Sequence, residues 1–168
     1  MTGKKATPIG RQIVILSTKG RYAVMAMVEL ARKDKDTPVS LAMIAESQDI
    51  PLAYLEQIFA KLKKAGLVES TRGPGGGYRL AKDAAHTQVA DIVVASEESI
   101  EMTRCGKKDH GGCMAAGSRC LTHDLWEGLT NHIYDYLRSV TLADICNRNV
   151  PKLPEASFVQ PLPQRVSL

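Results

Sequence analysis

Apolar positions in the first third of the chain recur with the period of α-helices. The pattern predicts a first helix over 17–32 and a short second helix over 41–47. A third helix is predicted to begin at Pro51, because proline suits the first turn of a helix. Its apolar side chains form one stripe, which consists of Leu55, Ile58, Phe59 and Leu62. Gly66 is expected to end this helix in the left-handed conformation.

The pattern changes after the third helix. Short strands are predicted over 67–71 and 78–80, and the run Arg-Gly-Pro-Gly-Gly-Gly between them favours a turn. Only a short turn, 48–50, separates the second helix from the third. Three helices followed by a glycine-tipped hairpin are the order of a winged helix-turn-helix. The predicted fold class is therefore mainly α, a winged helix-turn-helix with a two-stranded wing.

The second half of the chain predicts three more helices. The first is expected over 89–96, and residues 99–120 show no apolar period. A long helix follows over 122–140, and 141–144 has the sequence of a capping box for a short last helix. Leucine or isoleucine recurs every four residues along the long helix, at Leu121, Leu125, Leu129, Ile133 and Leu137. A core this small cannot bury so long a stripe, so we expect this helix to form a homodimer.

Composition limits the class of protein. The 168 residues carry a formal net charge of +4, which permits nucleic-acid binding without requiring it. No apolar run approaches the roughly 20 residues of a membrane span, and no secretory signal is evident. We therefore expect a cytoplasmic protein with no membrane partner. The four cysteines are expected to be reduced there, which favours metal ligands or buried thiols over disulfides.

The third helix presents polar side chains opposite its apolar stripe. The polar residues that we expect to contact double-stranded DNA from the major groove are Tyr54, Glu56, Gln57 and Lys61. Gln57 can pair with adenine, Glu56 can accept from cytosine, and tyrosine and lysine suit phosphates. Arg72, followed by Gly73 at the tip of the hairpin, is placed to enter a minor groove. The alternative is a solvated helix face and a surface hairpin.

Three cysteines lie close together in the sequence before the long helix. Cys105, Cys113 and Cys120 have the spacing C-x7-C-x6-C, and His123 follows three residues after the last. The segment lacks two close C-x2-C pairs, which argues against a zinc ribbon, whereas soft thiolates suit an iron–sulfur cluster. The alternative is three free thiols. Cys146, in the predicted last helix, is expected to be a buried apolar residue.

Several segments closely resemble one family of bacterial regulators. They are Ser-Thr-Lys-Gly-Arg-Tyr-Ala-Val at 17–24, Tyr-Leu-Glu-Gln at 54–57, 62–68, Arg-Gly-Pro-Gly-Gly-Gly-Tyr at 72–78, Cys-Leu-Thr-His-Asp-Leu-Trp at 120–126 and Val-Thr-Leu-Ala-Asp at 140–144. In this order they resemble the winged-helix family that contains IscR, NsrR and RirA. The resemblance covers about residues 16–148.

The resemblance implies partners and a cofactor. It implies a homodimer that contacts DNA through Tyr54, Glu56, Gln57 and Arg72. It also implies a 2Fe–2S cluster on Cys105, Cys113 and Cys120, with His123 as the fourth ligand. The loop departs from the C-x5-C-x5-C of IscR-like proteins, and its first gap is closer to that of RirA-like regulators, some of which carry 4Fe–4S. The 2Fe–2S form is favoured over 4Fe–4S. Ala53 stands where IscR-like proteins have a serine.

The sequence thus predicts a DNA-binding transcription regulator, a repressor or activator of iron–sulfur assembly or iron-responsive genes, that senses through an iron–sulfur cluster. The alternatives are a cluster-free regulator of the same family that senses thiol oxidation or a ligand, and a cluster-transfer scaffold. No nucleophile motif such as G-x-S-x-G occurs, so no enzyme activity is expected. The expected organisation is a flexible basic leader (1–16), the DNA-binding domain (17–98), a cluster-binding loop (99–120), the dimerisation helix with a short last helix (121–148) and a disordered proline-rich tail (149–168).

Overall fold

The computed structural model describes residues 17–33, 37–96, 114 and 118–152. Its elements are α1 (Thr18–Ala31), α2 (Leu41–Gln48), α3 (Leu52–Lys64), β1 (Val68–Thr71), β2 (Gly77–Leu80), α4 (Val89–Ala95), α5 (His123–Ser139) and α6 (Leu142–Cys146), with a 3-10 turn at Ala84–His86. This is the predicted order, and the element ends differ from the predicted ones by about one residue. The leader, most of the cysteine loop and the tail beyond residue 152 lie outside the described residues. Among the described helices, none combines the length and apolar character needed to cross a membrane.

Local sequence signals explain where α2 and α3 begin and end. The Ser40 side chain accepts a hydrogen bond from the Met43 amide at 3.3 Å and so caps α2. Asp49 ends α2 in the left-handed region with φ of 51°. Pro51 is the N-cap residue of α3, so the helix begins at Leu52, one residue later than predicted. Gly66 follows α3 with φ of 71°, as the sequence predicted.

The hydrophobic core joins the helices to the wing. Its large, fully buried side chains include Phe59, Met27, Ile44, Leu55, Ile58, Leu62, Ile92 and Leu142. All four members of the apolar stripe predicted for α3 are among them, and each contributes about 1.5–3 kcal/mol relative to an exposed side chain. The ring of Phe59 also packs edge-on against Tyr78 of β2, with 4.9 Å between centroids. The opposite face of α3 is consequently turned to solvent.

The wing is an antiparallel pair in which Val68 faces Leu80 and Thr71 faces Gly77. Val39, before α2, forms an isolated antiparallel bridge with β2. Its amide donates to the Tyr78 carbonyl at 2.9 Å, and its carbonyl accepts from the Tyr78 amide at 2.8 Å. The close approach explains a glycine at position 77. A Cβ there would lie 2.4 Å from the Val39 carbonyl oxygen. The segment before α2 therefore fixes the base of the wing.

The long helix α5 is anchored at its C-terminal end to the residues at the start of α4. The Val89 amide bonds to the Val140 carbonyl at 2.9 Å, and the Leu142 amide bonds to the Thr87 carbonyl at 3.0 Å. Val89 and Val140 belong to a second apolar cluster, against which Tyr136 and Leu137 of α5 pack. A shift of α5 therefore acts directly on α4.

Candidate DNA-binding surface and cysteine–histidine site

The exposed face of α3 carries the residues predicted to contact DNA. Glu56 and Gln57 are exposed, whereas Tyr54 and Lys61 are half-buried on one side of this face. The ring of Tyr54 packs edge-on against Tyr22 of α1, with 5.7 Å between centroids. This contact fixes the tyrosine and leaves part of it accessible. The structure thus brings the four predicted residues onto one solvent-facing side of a single helix.

The tip of the wing is a tight glycine turn. Arg72 and Gly73 are both exposed, and Gly73 and Gly75 have φ of 99° and 78°, which favours glycine at both positions. The Gly76 amide bonds to the Gly73 carbonyl at 2.8 Å and closes the turn. Arg72 therefore extends from a narrow backbone tip, which can approach a duplex closely.

One polar contact joins the wing to α3, and another joins the two strands of the wing. Lys63 of α3 donates a hydrogen bond to the Ser70 hydroxyl of β1 at 2.6 Å. Across the strands, the Arg79 guanidinium donates to the Glu69 carboxylate at 2.8 Å and 3.1 Å. These side chains are at least partly exposed, so each pair contributes little to stability. The Lys63–Ser70 contact orients the wing relative to α3, and the Arg79–Glu69 pair joins the two strands of the wing.

Of the four predicted cluster ligands, Cys120 and His123 belong to the described residues, and Cys105 and Cys113 do not. The His123 amide donates to the Cys120 carbonyl at 3.0 Å, at the start of α5. The His123 side chain is buried at 6% exposure, and Cys120 is half-buried. A thiol just before α5 and a shielded imidazole in its first turn are donors that suit an iron–sulfur cluster.

Two acidic neighbours of His123 were not singled out in the sequence. His123 Nε2 lies 3.8 Å from the Glu127 carboxylate, and the potential ligand atoms of His123, Asp124 and Glu127 all lie within 4.8 Å of one another. The signal was available, because a histidine and a glutamate four residues apart on a helix lie on the same side. Asp124 also pairs with Arg119 at 3.7 Å. These carboxylates can orient the imidazole, as groups that contact the metal-ligating side chains do in metal sites.

Cys146 differs from its prediction. It lies on α6 and is half-buried, whereas a fully buried residue was predicted from the sequence. Its helix packs against α1 and the 3-10 turn with Leu142 as the fully buried member, so the following turn stays partly open. Cys146 is on the element that follows α5 and not on the segment that carries Cys120 and His123.

The predicted leucine stripe of α5 divides into two parts. Leu121, Leu125 and Leu129 are exposed, at 107%, 63% and 37%. Ile133 and Leu137 are half-buried, and Leu137 packs together with Tyr136 against the apolar cluster that contains Val89 and Val93 of α4. The exposed apolar surface therefore begins beside the cysteine–histidine site and runs along the first half of the helix.

Solved structures share this architecture. IscR from T. potens is 37% identical, with a TM-score of 0.64, and the match covers 88% of this chain and 93% of that one. CymR, the global cysteine regulator of B. subtilis, is 32% identical with a TM-score of 0.65, over 81% of this chain and 98% of that one. The fold is thus that of the winged-helix regulators, as the sequence predicted.

Curated relatives agree with the fold. The HTH-type transcriptional regulator IscR of Yersinia pseudotuberculosis is 51% identical over 132 residues, 79% of each chain. The protein of the same name in Vibrio vulnificus is 49% identical over 134 residues, 80% of this chain and 78% of the relative. The fold, its exposed recognition helix and these relatives define a DNA-binding transcription regulator, not an enzyme. More narrowly, residues 16–148 match the Rrf2 family, described as an iron-dependent transcriptional regulator, and the chain belongs to that family.

Proposed function

We propose that this regulator controls genes of iron–sulfur assembly or iron response through an iron–sulfur cluster held by Cys105, Cys113, Cys120 and His123. The observation that carries the proposal is the position of Cys120 and His123. They lie at the start of α5, and the far end of the same helix is hydrogen-bonded to the DNA-binding domain. A change at the ligands can therefore be passed along α5 to α4 and, through the packing of α4 on α1, to α3.

The proposed ligands favour a 2Fe–2S cluster over a 4Fe–4S cluster. Three thiolates and one imidazole give four ligands, and mixed cysteine and histidine ligation is established for Rieske 2Fe–2S centres. When bound, the cluster supplies a redox- and iron-sensitive group. The chain contributes Cys120, half-buried at the start of α5, and the shielded His123 ring, oriented beside Glu127. Reduced thiols of this kind accord with the cytoplasm as the proposed location.

At the DNA we assign separate tasks to the two elements. Glu56 and Gln57 on α3 contact base edges in the major groove, and Tyr54 and Lys61 on the side of the helix contact phosphates. Arg72 beside Gly73 contacts the minor groove or its phosphates. Their shared solvent-facing positions on α3 and the narrow wing tip support this division.

The functional unit that we propose is a homodimer formed through α5. The exposed leucines at 121, 125 and 129 give an apolar surface that a second copy can cover. Two reading helices related by a twofold axis would bind two half-sites of one operator.

The test is purification of the full chain without oxygen, followed by visible absorption and by iron and sulfide counts per chain. We expect a coloured protein with about two irons and two sulfides per chain, because 2Fe–2S is the favoured form. Alanine at position 105, 113 or 120 should each remove the colour, whereas Cys146→Ala should not. Four irons per chain would establish 4Fe–4S instead.

A colourless native protein would contradict the cluster sensor. If its DNA affinity then changed on thiol oxidation, the cluster-free alternative would be supported, in line with the structural similarity to CymR. If Cys146→Ala alone lost the colour, the ligand assignment would be wrong.

A further inference from the structure

The first turn of α3 exposes apolar surface beside the residues proposed to contact bases. Ala53 is exposed, and the adjacent Leu52 keeps 42% of its surface accessible although leucine is usually buried. Neither residue belongs to the hydrophobic core or to the apolar side chains packed against it. The end of the helix that enters the groove first is therefore partly apolar.

Ala53 and Gln57 share one face of the helix. They are four residues apart on α3, one helical turn, and both are exposed. Glu56 lies beside them on the same side. Among these neighbours Ala53 alone offers neither a donor nor an acceptor, so it cannot distinguish bases by a hydrogen bond.

We propose that Ala53 is a specificity-determining residue that contacts the C5-methyl group of a thymine in the operator. The methyl group of thymine is the apolar feature of the major-groove edge, and alanine is one of the side chains that suit it. An adenine contacted by Gln57 has a thymine partner that presents its methyl group in the same major groove, and Ala53 lies one helical turn from Gln57 on α3. The inference rests on the proposed placement of α3 in the major groove.

The experiment begins with selection of an operator from randomised duplexes by the full chain. Each thymine of a half-site is then replaced singly by deoxyuridine, which removes the methyl group and no hydrogen-bonding atom. We expect one thymine per half-site at which the Kd of the native chain rises about fourfold, the equivalent of roughly 0.8 kcal/mol for one buried methyl group. The Ala53→Gly chain should bind both duplexes equally at that position.

Ala60→Gly is the matched control. Ala60 is exposed on the same helix, seven residues or about 10 Å beyond Ala53. Replacing either alanine by glycine lowers helix propensity in the same way. This variant should keep the fourfold response to deoxyuridine. Circular dichroism of both variants checks that α3 is retained.

Three results would overturn the inference. They are no thymine with a response, an undiminished response in Ala53→Gly, or equal loss of the response in both glycine variants. Failure to select any operator is a different result, because it would contradict the proposed DNA contacts themselves.

Discussion

At the scale of single residues, Gln57 and Arg72 lie on elements with different freedom. Gln57 is on a helix whose opposite face is fully buried, so the backbone that carries Gln57 is held in place. Arg72 precedes a glycine turn at the tip of a two-stranded wing. A side chain on a packed helix can discriminate between bases by geometry, whereas a cationic side chain on a narrow tip mainly supplies charge. The two contributions to DNA binding should therefore be separable.

Gln57→Ala should relax base preference at one position of each half-site, since a bidentate base contact supplies about 1–3 kcal/mol of discrimination. Arg72→Ala should instead weaken binding to all sequences and reduce the slope of log K against log salt by roughly one unit. Binding titrations on randomised operators at two salt concentrations measure both effects. Arg138→Ala, which removes a charge from α5, is the control and should change neither. Intact preference in Gln57→Ala together with intact affinity in Arg72→Ala would show that the proposed orientation on DNA is wrong.

At the scale of an element, α6 begins with the capping box that the sequence predicted. The Thr141 hydroxyl and amide donate to the Asp144 carboxylate at 2.6 and 2.9 Å, and the Asp144 amide donates back to the Thr141 oxygen at 3.1 Å. The hydrogen bond from the Thr141 side chain, and then that from its backbone, lower the pKa of Asp144. Thr141 also forms an isolated antiparallel β-bridge with Gln88, so this cap lies where the end of α5 meets the residues before α4.

This cap predicts a pH-dependent part of the stability. Because the pKa of Asp144 is lowered in the folded state, its stabilisation is complete above the ordinary aspartate pKa of about 3.9 and is lost as pH falls through the folded value. Asp144→Asn removes the titrating group. Denaturant unfolding of both proteins should therefore show a stability difference at neutral pH that shrinks as the pH is lowered below about 4.

Thr141→Val provides the companion measurement, since it removes the hydroxyl that is the main cause of the lowered pKa. Its stability difference from the native chain should shrink over the same pH interval. A difference between native chain and Asp144→Asn that stays constant down to acid pH would contradict the role of this hydrogen bond.

At the scale of the whole molecule, the exposed half of α5 predicts self-association. Replacing both Leu125 and Leu129 by glutamate should convert a dimer into a monomer, because buried like charges would replace apolar contacts. Sedimentation of the native and variant chains at micromolar concentration measures this. Met43→Glu is the control, as Met43 is equally apolar and 57% exposed but lies on α2. A native chain that sediments as a monomer would contradict the proposed dimer.

The same arrangement connects the two ends of the molecule. The start of α5 carries His123, and its other end is bonded to Val89 and Thr87 around α4. α4 packs in turn on α1, whose Tyr22 contacts the recognition helix through Tyr54. This continuous packing is the physical basis for the proposed coupling between the cluster and DNA.

The sequence by itself determined the order of elements and the side of α3 that faces solvent, because both follow from local rules. Helix periods, the left-handed Gly66 and the capping box at Thr141 depend on residues within a turn of one another. The buried stripe of α3 fixed its opposite face, and so exposed Gln57. The metal ligands and the DNA contacts stay predictions, since they concern groups that the chain meets only when it binds.

Only the tertiary structure decided features that join distant parts of the chain. Val39 pairs with Tyr78 across about forty residues, which explains the glycine at 77, and no local pattern indicates this partner. The leucine stripe has one period throughout, yet α4 covers its C-terminal half and leaves Leu121 exposed. Cys146 is half-buried because of how α6 packs on α1, not because of its own sequence. A periodic pattern indicates which side of an element is apolar. Whether that side is buried depends on which other elements pack against it in the folded chain.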